Sequence, residues 1–465
     1  MTPTPRYSAC TDLRLLHGGD ELFPAMASAI NAAQEQVLIA TYIWLDDPGL
    51  EPLLAALLAA AGRGVRVRLL VDGFGSRRAL PVLRERMRHP QIRLMVFRPV
   101  TRLWTAWLRP NQLRRLHQKL CVIDDTTAFV GGINLLDDRH DLRHGWSEFP
   151  RLDFAVAVQG PVVAQVEQGL LQLMGLMKSG ESGWWRELLL LLSSQPAYKQ
   201  VSETLAEALA TAKRRWRQWR RRLRPPGPSS HPATHPPAAS PADQPVASRK
   251  PVDAANVVVP APPPAAPTCS AGPRAAFIER RNHPRHRRPI EQAYISAIEA
   301  AQERIALISP YFYPSSAFLQ ALQAAARRGV QVRLLMQGRT DYRIAADAAR
   351  AMYPALLPCG VAIFEYQRAF LHAKIAVIDG RWSTVGSSNI DPISMLLNLE
   401  ANLAIHDAAF AADLEAAFEQ ALKHATPVTA LPGVSRGPLA WLRRALLAWV
   451  ARVYLGVAGA GGTRY

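Results

Sequence analysis

The sequence predicts an α/β fold in which one α/β/α domain occurs twice. The first reason is an internal repeat, because residues 29–40 are matched in order by residues 297–308, and residues 64–73 by residues 329–338. Similarity at so large a spacing indicates a duplicated structural unit. The second reason is that each half alternates amphipathic helical stretches with short β-branched and leucine-rich runs, a pattern typical of a sheet buried between helices.

Hydrophobic spacing places the individual elements. Apolar residues recur at helical intervals over residues 50–62 in the first half and residues 317–328 in the second. Short apolar runs bounded by turn residues predict strands. The predicted strands are residues 65–71, 120–123, 127–130, 153–158, 375–378 and 401–405.

Composition separates the two halves and divides the 465-residue chain into four parts. Residues 225–267 are rich in Pro, Ala and Ser, and such a segment cannot bury enough apolar surface to offset the entropy lost on ordering. It is therefore predicted to be a flexible linker. The four parts are a first domain at 1–180, a basic helix with this linker at 181–275, a second domain at 276–430 and an amphipathic tail at 431–465.

The charge balance predicts a partner that carries negative charge. The chain has 55 Lys and Arg against 37 Asp and Glu, a formal net charge of +18, which suits nucleic acid or an anionic membrane surface. Residues 213–224 hold eight basic residues with Trp216 and Trp219 between them. Such a run is often only a solvated face, but the interleaved tryptophans favour lipid head groups. Residues 438–457 and 103–109 also combine Trp, Leu and Arg.

Export and integral insertion into a membrane are not expected. No uninterrupted apolar stretch approaches the roughly 20 residues that a bilayer span requires, and residues 1–8 lack the basic-then-apolar pattern of a signal peptide. The four cysteines are scattered without a paired spacing, so neither a zinc site nor a disulfide framework is predicted. These patterns favour a reducing compartment.

Two copies of one short motif carry the candidate chemistry. In each copy a Lys follows the His by two residues, an Asp follows the Lys by five, and an Asn follows the Asp by ten. One His-x-Lys-x4-Asp match alone is a weak signal, but two at equivalent points of a repeat make coincidence a poor explanation. The first copy is His117, Lys119, Asp124 and Asn134, and the second is His372, Lys374, Asp379 and Asn389.

The spacing suits a single phosphate site built from both copies. Residues i and i+2 of a strand point the same way, so the His and Lys of each copy project from one face. If the halves pack about a pseudo-two-fold axis with these faces opposed, two imidazoles, two ammonium groups and two Asn side chains converge on one cavity. Lys and Asn can donate to the phosphate oxygens, while one His attacks phosphorus and the other protonates the leaving oxygen.

No metal or cofactor is expected, because the positive charge of the Lys beside each His opposes zinc binding. Acidic residues complete the predicted site. Each His needs a partner on its other ring nitrogen to fix its tautomer. Asp153 and Glu400, each at the start of the strand that follows its motif, are predicted to serve. Asp124 and Asp379 belong to the motif and are counted with the catalytic residues, although their place favours bracing a strand-to-turn junction over touching phosphate.

The doubled motif with its Gly/Ser-x-Asn tail resembles the phospholipase D superfamily, and more closely the bacterial cardiolipin synthases without N-terminal transmembrane helices. The similar segments include residues 116–120, 129–134, 384–392 and 398–402, and the resemblance covers residues 12–180 and 275–425. It implies two phospholipase D-like domains, each with a mixed sheet flanked by helices. It also implies a peripheral enzyme on the cytoplasmic face of the bacterial inner membrane, with an anionic phospholipid membrane as its partner.

The resemblance implies a reaction as well. A phosphatidyl group passes from phosphatidylglycerol, or from phosphatidylethanolamine, to a hydroxyl acceptor, usually a second phosphatidylglycerol, and by analogy His117 is the attacking histidine. Phospholipases that use water and nucleases belong to the same superfamily, and the +18 charge suits a nuclease. The Trp-Arg segments weigh against that alternative, so no nucleic acid partner is expected. A catalytically dead membrane scaffold is disfavoured because both copies keep their His, Lys and Asn.

Overall fold

The computed structural model describes residues 5–99, 114–142, 144–176, 272–280, 288–339 and 343–429. Both halves of the repeat belong to one compact unit. Four predicted segments, the basic run at 213–224, the linker at 225–267 and the Trp-containing stretches at 103–109 and 438–457, lie outside the described residues. The predicted domain boundaries therefore remain predictions.

The first half contributes ten strands and four helices to the described part of the chain. The strands are β1 Ser8–Ala9, β2 Asp12–His17, β3 Gln36–Thr41, β4 Arg66–Asp72, β5 Ile92–Phe97, β6 Leu120–Ile123, β7 Thr127–Gly131, β8 His140–Asp141, β9 Gly145–Trp146 and β10 Phe154–Gln159. The helices are α1 Gly18–Ala32, α2 Glu51–Gly62, α3 Leu80–Arg86 and α4 Val162–Leu176, with a 3-10 turn at Pro48–Leu50.

The second half repeats this plan. Its strands are β11 Arg274–Glu279, β12 Arg304–Ser309, β13 Gln331–Gln337, β14 Ala362–Tyr366, β15 Ile375–Ile378, β16 Trp382–Gly386, β17 Ala401–His406 and β18 Ala425–Pro427. Its helices are α5 Pro289–Ala300, α6 Ser316–Arg327, α7 Arg343–Arg350, α8 Tyr353–Leu356, α9 Pro392–Leu396 and α10 Ala408–Leu422, with a 3-10 turn at Leu357–Cys359. The strands and helices predicted from hydrophobic spacing are confirmed, with boundaries that differ by no more than one residue.

Each half builds one mixed sheet around seven equivalent strands that have the same order, and the second sheet is extended by β1 from the first half at one edge and by β18 at the other. The first runs β2-β10-β7-β6-β3-β4-β5, and the second runs β1-β11-β17-β16-β15-β12-β13-β14-β18. In both, the strand that follows the motif histidine lies at the centre. The pairs β3–β4, β4–β5, β12–β13 and β13–β14 are parallel, and the other pairs within the two sheets are antiparallel. The predicted duplicated α/β fold is confirmed.

Local chemistry explains where α6 begins and where both α2 and α6 end. Ser315 caps α6 because its hydroxyl accepts a hydrogen bond from the Phe318 N–H at 3.3 Å, which satisfies a donor that the first turn leaves free. Gly64 and Gly329 follow α2 and α6 with φ of 94° and 93°. Glycine adopts this left-handed conformation without strain, so the chain can turn from each helix directly into the next strand.

The apolar core has three parts, and the central one joins the two halves. Helices α1 and α2 cover the outer face of the first sheet, and α5 and α6 cover that of the second. Between the sheets lies one cluster drawn from both halves, in which Leu170 of α4 and Phe418 of α10 are buried together with Val122 and Val377 of the motif strands. Each sheet is therefore covered on both faces, as its apolar strand sequences predict.

Candidate active site

The chain around each motif histidine pairs with the other half of the protein. Parallel β-bridges join Leu116 to Leu399 and Leu152 to Leu371. The His117 N–H donates to the Leu399 carbonyl, and the His372 N–H donates to the Leu152 carbonyl, both at 2.9 Å. The backbone thus holds both histidines at the seam between the halves, and the motif strands β6 and β15 begin just beyond it.

The histidine side chains contact carboxylates across this seam. His117 Nδ1 lies 2.9 Å from Glu400 Oε2, and His372 Nδ1 lies 2.6 Å from Asp153 Oδ2. Both carboxylates are buried. The sequence predicts one such partner in each half, and the structure pairs each with the histidine of the other half. Because Nδ1 is engaged, Nε2 is the nitrogen left for chemistry.

The two motif lysines are buried beside the histidines. Only 6% of Lys119 and 1% of Lys374 is exposed. Lys119 Nζ donates to the His117 carbonyl at 2.7 Å, and Lys374 Nζ donates to the His372 carbonyl. Burial lowers the pKa of Lys119 to about 7 and that of Lys374 to about 8, although nearby carboxylates oppose the shift. A bound anion would restore the charge of both lysines, since it favours their protonated forms.

Burial disfavours the positively charged form of both imidazoles. Burial lowers the pKa of His117, and the charges of Lys119 and Lys374 lower it further while Glu400 opposes them. Burial also lowers the pKa of His372 well below its usual value, with Lys374 as the next largest cause. Groups from both halves therefore act on each histidine. A neutral imidazole with a free Nε2 can attack an electrophilic phosphorus.

The surroundings of the two carboxylates differ. Glu400 accepts a second hydrogen bond, from the Ser387 hydroxyl at 2.5 Å. The other half has Gly132 at the equivalent point, and a Cβ there would lie 2.3 Å from Asp153 Oδ1. The position of Asp153 therefore requires glycine at residue 132, whereas Glu400 gains a hydrogen-bond donor from Ser387. The Gly/Ser-x-Asn tail of the motif includes Ser387, but the sequence analysis gives this residue no role; the difference between Gly132 and Ser387 at one repeat position is the signal that could have identified it.

The pKa values of the two carboxylates also differ. Burial alone would raise the pKa of Glu400, but the attraction of His117 and its hydrogen bond bring that pKa below its usual value. At Asp153 burial dominates and raises the pKa to about 7, although Lys374 opposes the shift. Glu400 is therefore an anion at neutral pH, whereas the Asp153–His372 pair can hold a proton.

The motif asparagines and one tyrosine complete the surroundings. Asn134 Oδ1 accepts a hydrogen bond from the Ile43 N–H at 3.2 Å, and Asn389 Oδ1 is buried without a hydrogen-bond partner in the described part of the chain. The Tyr42 ring lies 5.1 Å from that of His117, and Lys119 Nζ lies 5.6 Å from its centroid. The sequence analysis does not single out Tyr42.

The motif aspartates lie away from the histidines, at the far ends of β6 and β15. Seven residues of extended chain place Asp124 about 20 Å from His117. Asp124 accepts backbone hydrogen bonds from residues 34–36 at 2.6 to 2.8 Å, and Asp379 does the same with residues 302–304 at 2.8 to 2.9 Å. These contacts support the bracing role that the sequence analysis favours for the two aspartates, because each carboxylate ties the end of one strand to the start of its neighbour.

We expect Asp124→Asn to lower stability and to spare catalysis. Asp124 has φ of 49°, a conformation that Asn also tolerates, but the amide carries no charge and offers fewer acceptor sites. The free energy of unfolding should fall by about 1–3 kcal/mol, while kcat/KM of the folded enzyme stays near the wild-type value. Urea denaturation beside an activity assay checks this, with Asp379→Asn as the matched variant. A large loss of kcat at an unchanged unfolding midpoint would instead place the aspartate in the chemistry.

Among the described residues, no group of three or more His, Cys, Asp or Glu side chains is placed to hold a metal ion. Within the same part of the chain, no helix combines the length and the apolar character that a membrane crossing needs.

Paired histidines and buried lysines at the seam between two copies of one domain define a phosphodiester-processing site of the phospholipase D type. The chain matches the family described as cardiolipin synthase, PLD-like domain, over residues 26–144 and again over residues 294–422. It belongs to this family.

Individual relatives agree with this assignment. Cardiolipin synthase B of Shigella flexneri is 33% identical over 398 residues, which cover 86% of this chain and 77% of that protein. Cardiolipin synthase A of Yersinia pestis is 28% identical over 406 residues, or 86% of this chain and 67% of that protein. The phosphatidylserine synthase structure from Haemophilus influenzae covers 97% of this chain and 96% of its own, with a TM-score of 0.58 and 13% identity, and shows the fold alone. The prediction of a phosphatidyltransferase of the cardiolipin synthase type is confirmed.

Proposed function

We propose that this protein makes cardiolipin by moving a phosphatidyl group from one phosphatidylglycerol to a second, with release of glycerol. The observation that carries the proposal is the pair of crossed contacts, His117 with Glu400 and His372 with Asp153, in a chain of the cardiolipin synthase family. Two histidines with unlike partners suit a two-step transfer in which one attacks phosphorus and the other handles protons.

In the first step His117 Nε2 attacks the phosphorus of the donor lipid, and the bond from phosphorus to the oxygen of the head-group glycerol breaks. The leaving oxygen takes the proton held by the Asp153–His372 pair. The low pKa of Glu400 supports His117 as the attacking residue, because an ionised carboxylate at Nδ1–H stabilises the positive charge of the phosphorylated imidazole. The products are free glycerol and a phosphatidyl group bonded to His117.

In the second step a hydroxyl of the second phosphatidylglycerol attacks the same phosphorus. His372 has lost its proton in the first step, so it accepts the hydroxyl proton while the bond between phosphorus and His117 breaks. Cardiolipin leaves, and both histidines return to their starting states. One site thus serves both steps, with His372 acting first as acid and then as base.

The remaining motif residues are proposed to hold the phosphate. Lys119 and Lys374 can neutralise the charge that builds on the non-bridging oxygens, and Asn134 and Asn389 can donate hydrogen bonds to them. The loops that carry the asparagines begin beside the lysines, because the Gly131 and Gly386 N–H groups donate to the Lys119 and Lys374 carbonyls at 3.3 and 3.2 Å.

A phospholipid substrate requires contact with a membrane, and we propose that the protein binds the cytoplasmic face of the bacterial inner membrane as a peripheral enzyme. The net charge of +18 supports attraction to anionic lipid. Trp146, which is 60% exposed, stacks on His140 with ring centroids 5.0 Å apart, and exposed tryptophan is favoured at the lipid–water interface.

Purified protein added to phosphatidylglycerol vesicles is expected to sediment with them and to release one glycerol for each cardiolipin formed. Thin-layer chromatography of the lipids with an enzymatic glycerol assay measures both products, and vesicles of a zwitterionic lipid alone serve as the control. Phosphatidic acid without cardiolipin would identify a hydrolase instead. Cleavage of DNA with no lipid turnover would identify a nuclease, and either result contradicts the proposal.

A further inference from the structure

One arginine beside the first motif has buried guanidinium nitrogens that meet no acceptor among the described residues. Arg114 stands three residues before His117, and its Nε and Nη2 have no hydrogen-bond acceptor in the described part of the chain although both atoms are buried. Burial and the charges of Arg280 and Arg98 hold its pKa well below the usual range. A buried cation without a counter-charge is costly, so this guanidinium is arranged for an anion that arrives from outside the protein.

The neighbouring arginines already have acceptors. Arg280 Nη1 donates to the carbonyls of Leu397 and Asn398 at 2.7 and 2.6 Å. Arg115 Nη1 lies 3.8 Å from a carboxylate oxygen of Asp72. These arginines are thus fixed by the fold, and the positive charge of Arg280 acts on Arg114.

The unpaired guanidinium is present on one side of the pseudo-symmetric site. The position equivalent to Arg114 in the second half is Ala369, three residues before His372, and it is buried. On that side Arg151 stands 3.6 Å from a carboxylate oxygen of Asp141. Within the ranges that the structure describes, the paired His and Lys residues are therefore duplicated, whereas the unpaired guanidinium beside the motif is not. Such asymmetry is what a reaction with two different lipid positions requires.

We propose that Arg114 binds the phosphodiester of the acceptor phosphatidylglycerol, the lipid whose hydroxyl attacks the phosphohistidine. This inference rests on the proposed function, because that reaction brings a second phosphate close to the first. Nε and Nη2 form the planar fork that matches two phosphate oxygens. Arg114 stands three residues before His117, at most about 11 Å of extended chain, so an anion bound to Arg114 would lie close to the phosphate that His117 attacks.

Two reactions of the same enzyme separate this role from catalysis. Exchange of labelled glycerol into phosphatidylglycerol uses the donor lipid and the phosphohistidine but no acceptor phosphate, whereas cardiolipin synthesis needs both lipids. Arg114→Gln is expected to slow cardiolipin synthesis by about 10- to 100-fold, the effect of losing a charged hydrogen bond, and to leave glycerol exchange near the wild-type rate. Arg66→Gln, at an exposed arginine on β4, is the control for loss of one charge and should change neither rate.

The outcomes are distinct. Equal loss of both reactions, or unchanged synthesis, overturns the role of Arg114. If the wild-type protein itself makes no cardiolipin, the proposed function fails instead. Should Arg114→Gln fold poorly, Arg114→Lys keeps the positive charge and loses the fork, and its ratio of synthesis to exchange must still fall.

Discussion

His117→Ala is expected to abolish cardiolipin synthesis and glycerol exchange together, with a loss on the order of 10⁴- to 10⁶-fold, because the residue that forms the covalent bond to phosphorus is absent. The variant should fold, since the His117 side chain retains some exposure at the seam and its backbone contact with Leu399 does not depend on the imidazole. Turnover of labelled phosphatidylglycerol, with circular dichroism as the control for folding, measures this effect.

His372→Ala is the matched variant and should fail differently. Its rate with phosphatidylglycerol as substrate should fall by about 10²- to 10⁴-fold, which is the usual effect of removing a general acid. With a phosphatidyl ester of 4-nitrophenol, whose leaving group needs no proton, the variant should form the covalent intermediate and accumulate it on His117. Mass spectrometry of a quenched digest locates the phosphatidyl group. Its appearance on His372 in the His117→Ala protein would reverse the proposed roles, and near-normal turnover by either variant would contradict a single shared site.

Glu400→Gln is expected to disable the chemistry of the first motif although Glu400 belongs to the second half. Its carboxylate contacts His117 at 2.9 Å and is fully buried. Glutamine keeps the shape but cannot stabilise the positive imidazole, and the comparable loss in a Ser-His-Asp triad is about 10⁴-fold. The rate of phosphohistidine formation in a single turnover should therefore fall by about 10³- to 10⁴-fold, even with the 4-nitrophenol ester.

Asp153→Asn provides the comparison because its partner is His372. It should slow the reaction of phosphatidylglycerol, in which a proton must be delivered, and have a much smaller effect on formation of the intermediate from the 4-nitrophenol ester. Combining Glu400→Gln with His117→Ala should add little to the loss from His117→Ala alone, since residues that act as a unit are not additive. Equal behaviour of Glu400→Gln and Asp153→Asn on both substrates would contradict the crossed assignment.

Much of the fold could be predicted because it rests on local patterns. The motif strands at 120–123 and 375–378 are predicted residue for residue, since each is a short apolar run between polar residues and a turn. The duplication is visible because both copies keep the same helix, glycine and strand order. The apolar strands also predict sheets covered on both faces, which the shared core between the halves provides.

The site could be predicted only in part. His117, Lys119, His372 and Lys374 are marked by a spacing that strand geometry explains. The same spacing includes Asp124, but its carboxylate binds backbone N–H groups at the start of β3. A motif shows only that its residues occur together in the sequence. His117 and Asp124 lie beyond opposite ends of β6, so they have different roles.

The sequence by itself determines the two α/β halves, the paired His and Lys residues and the presence of one carboxylate after each motif, because these features depend on neighbours along the chain. The tertiary structure alone decides that Glu400 serves His117 and that Asp153 serves His372. These contacts join residues 283 and 219 positions apart, and packing of one half against the other creates them. Packing within each half gives the difference between Gly132 and Ser387 its effect, because Gly132 leaves room for Asp153 and the Ser387 hydroxyl donates to Glu400.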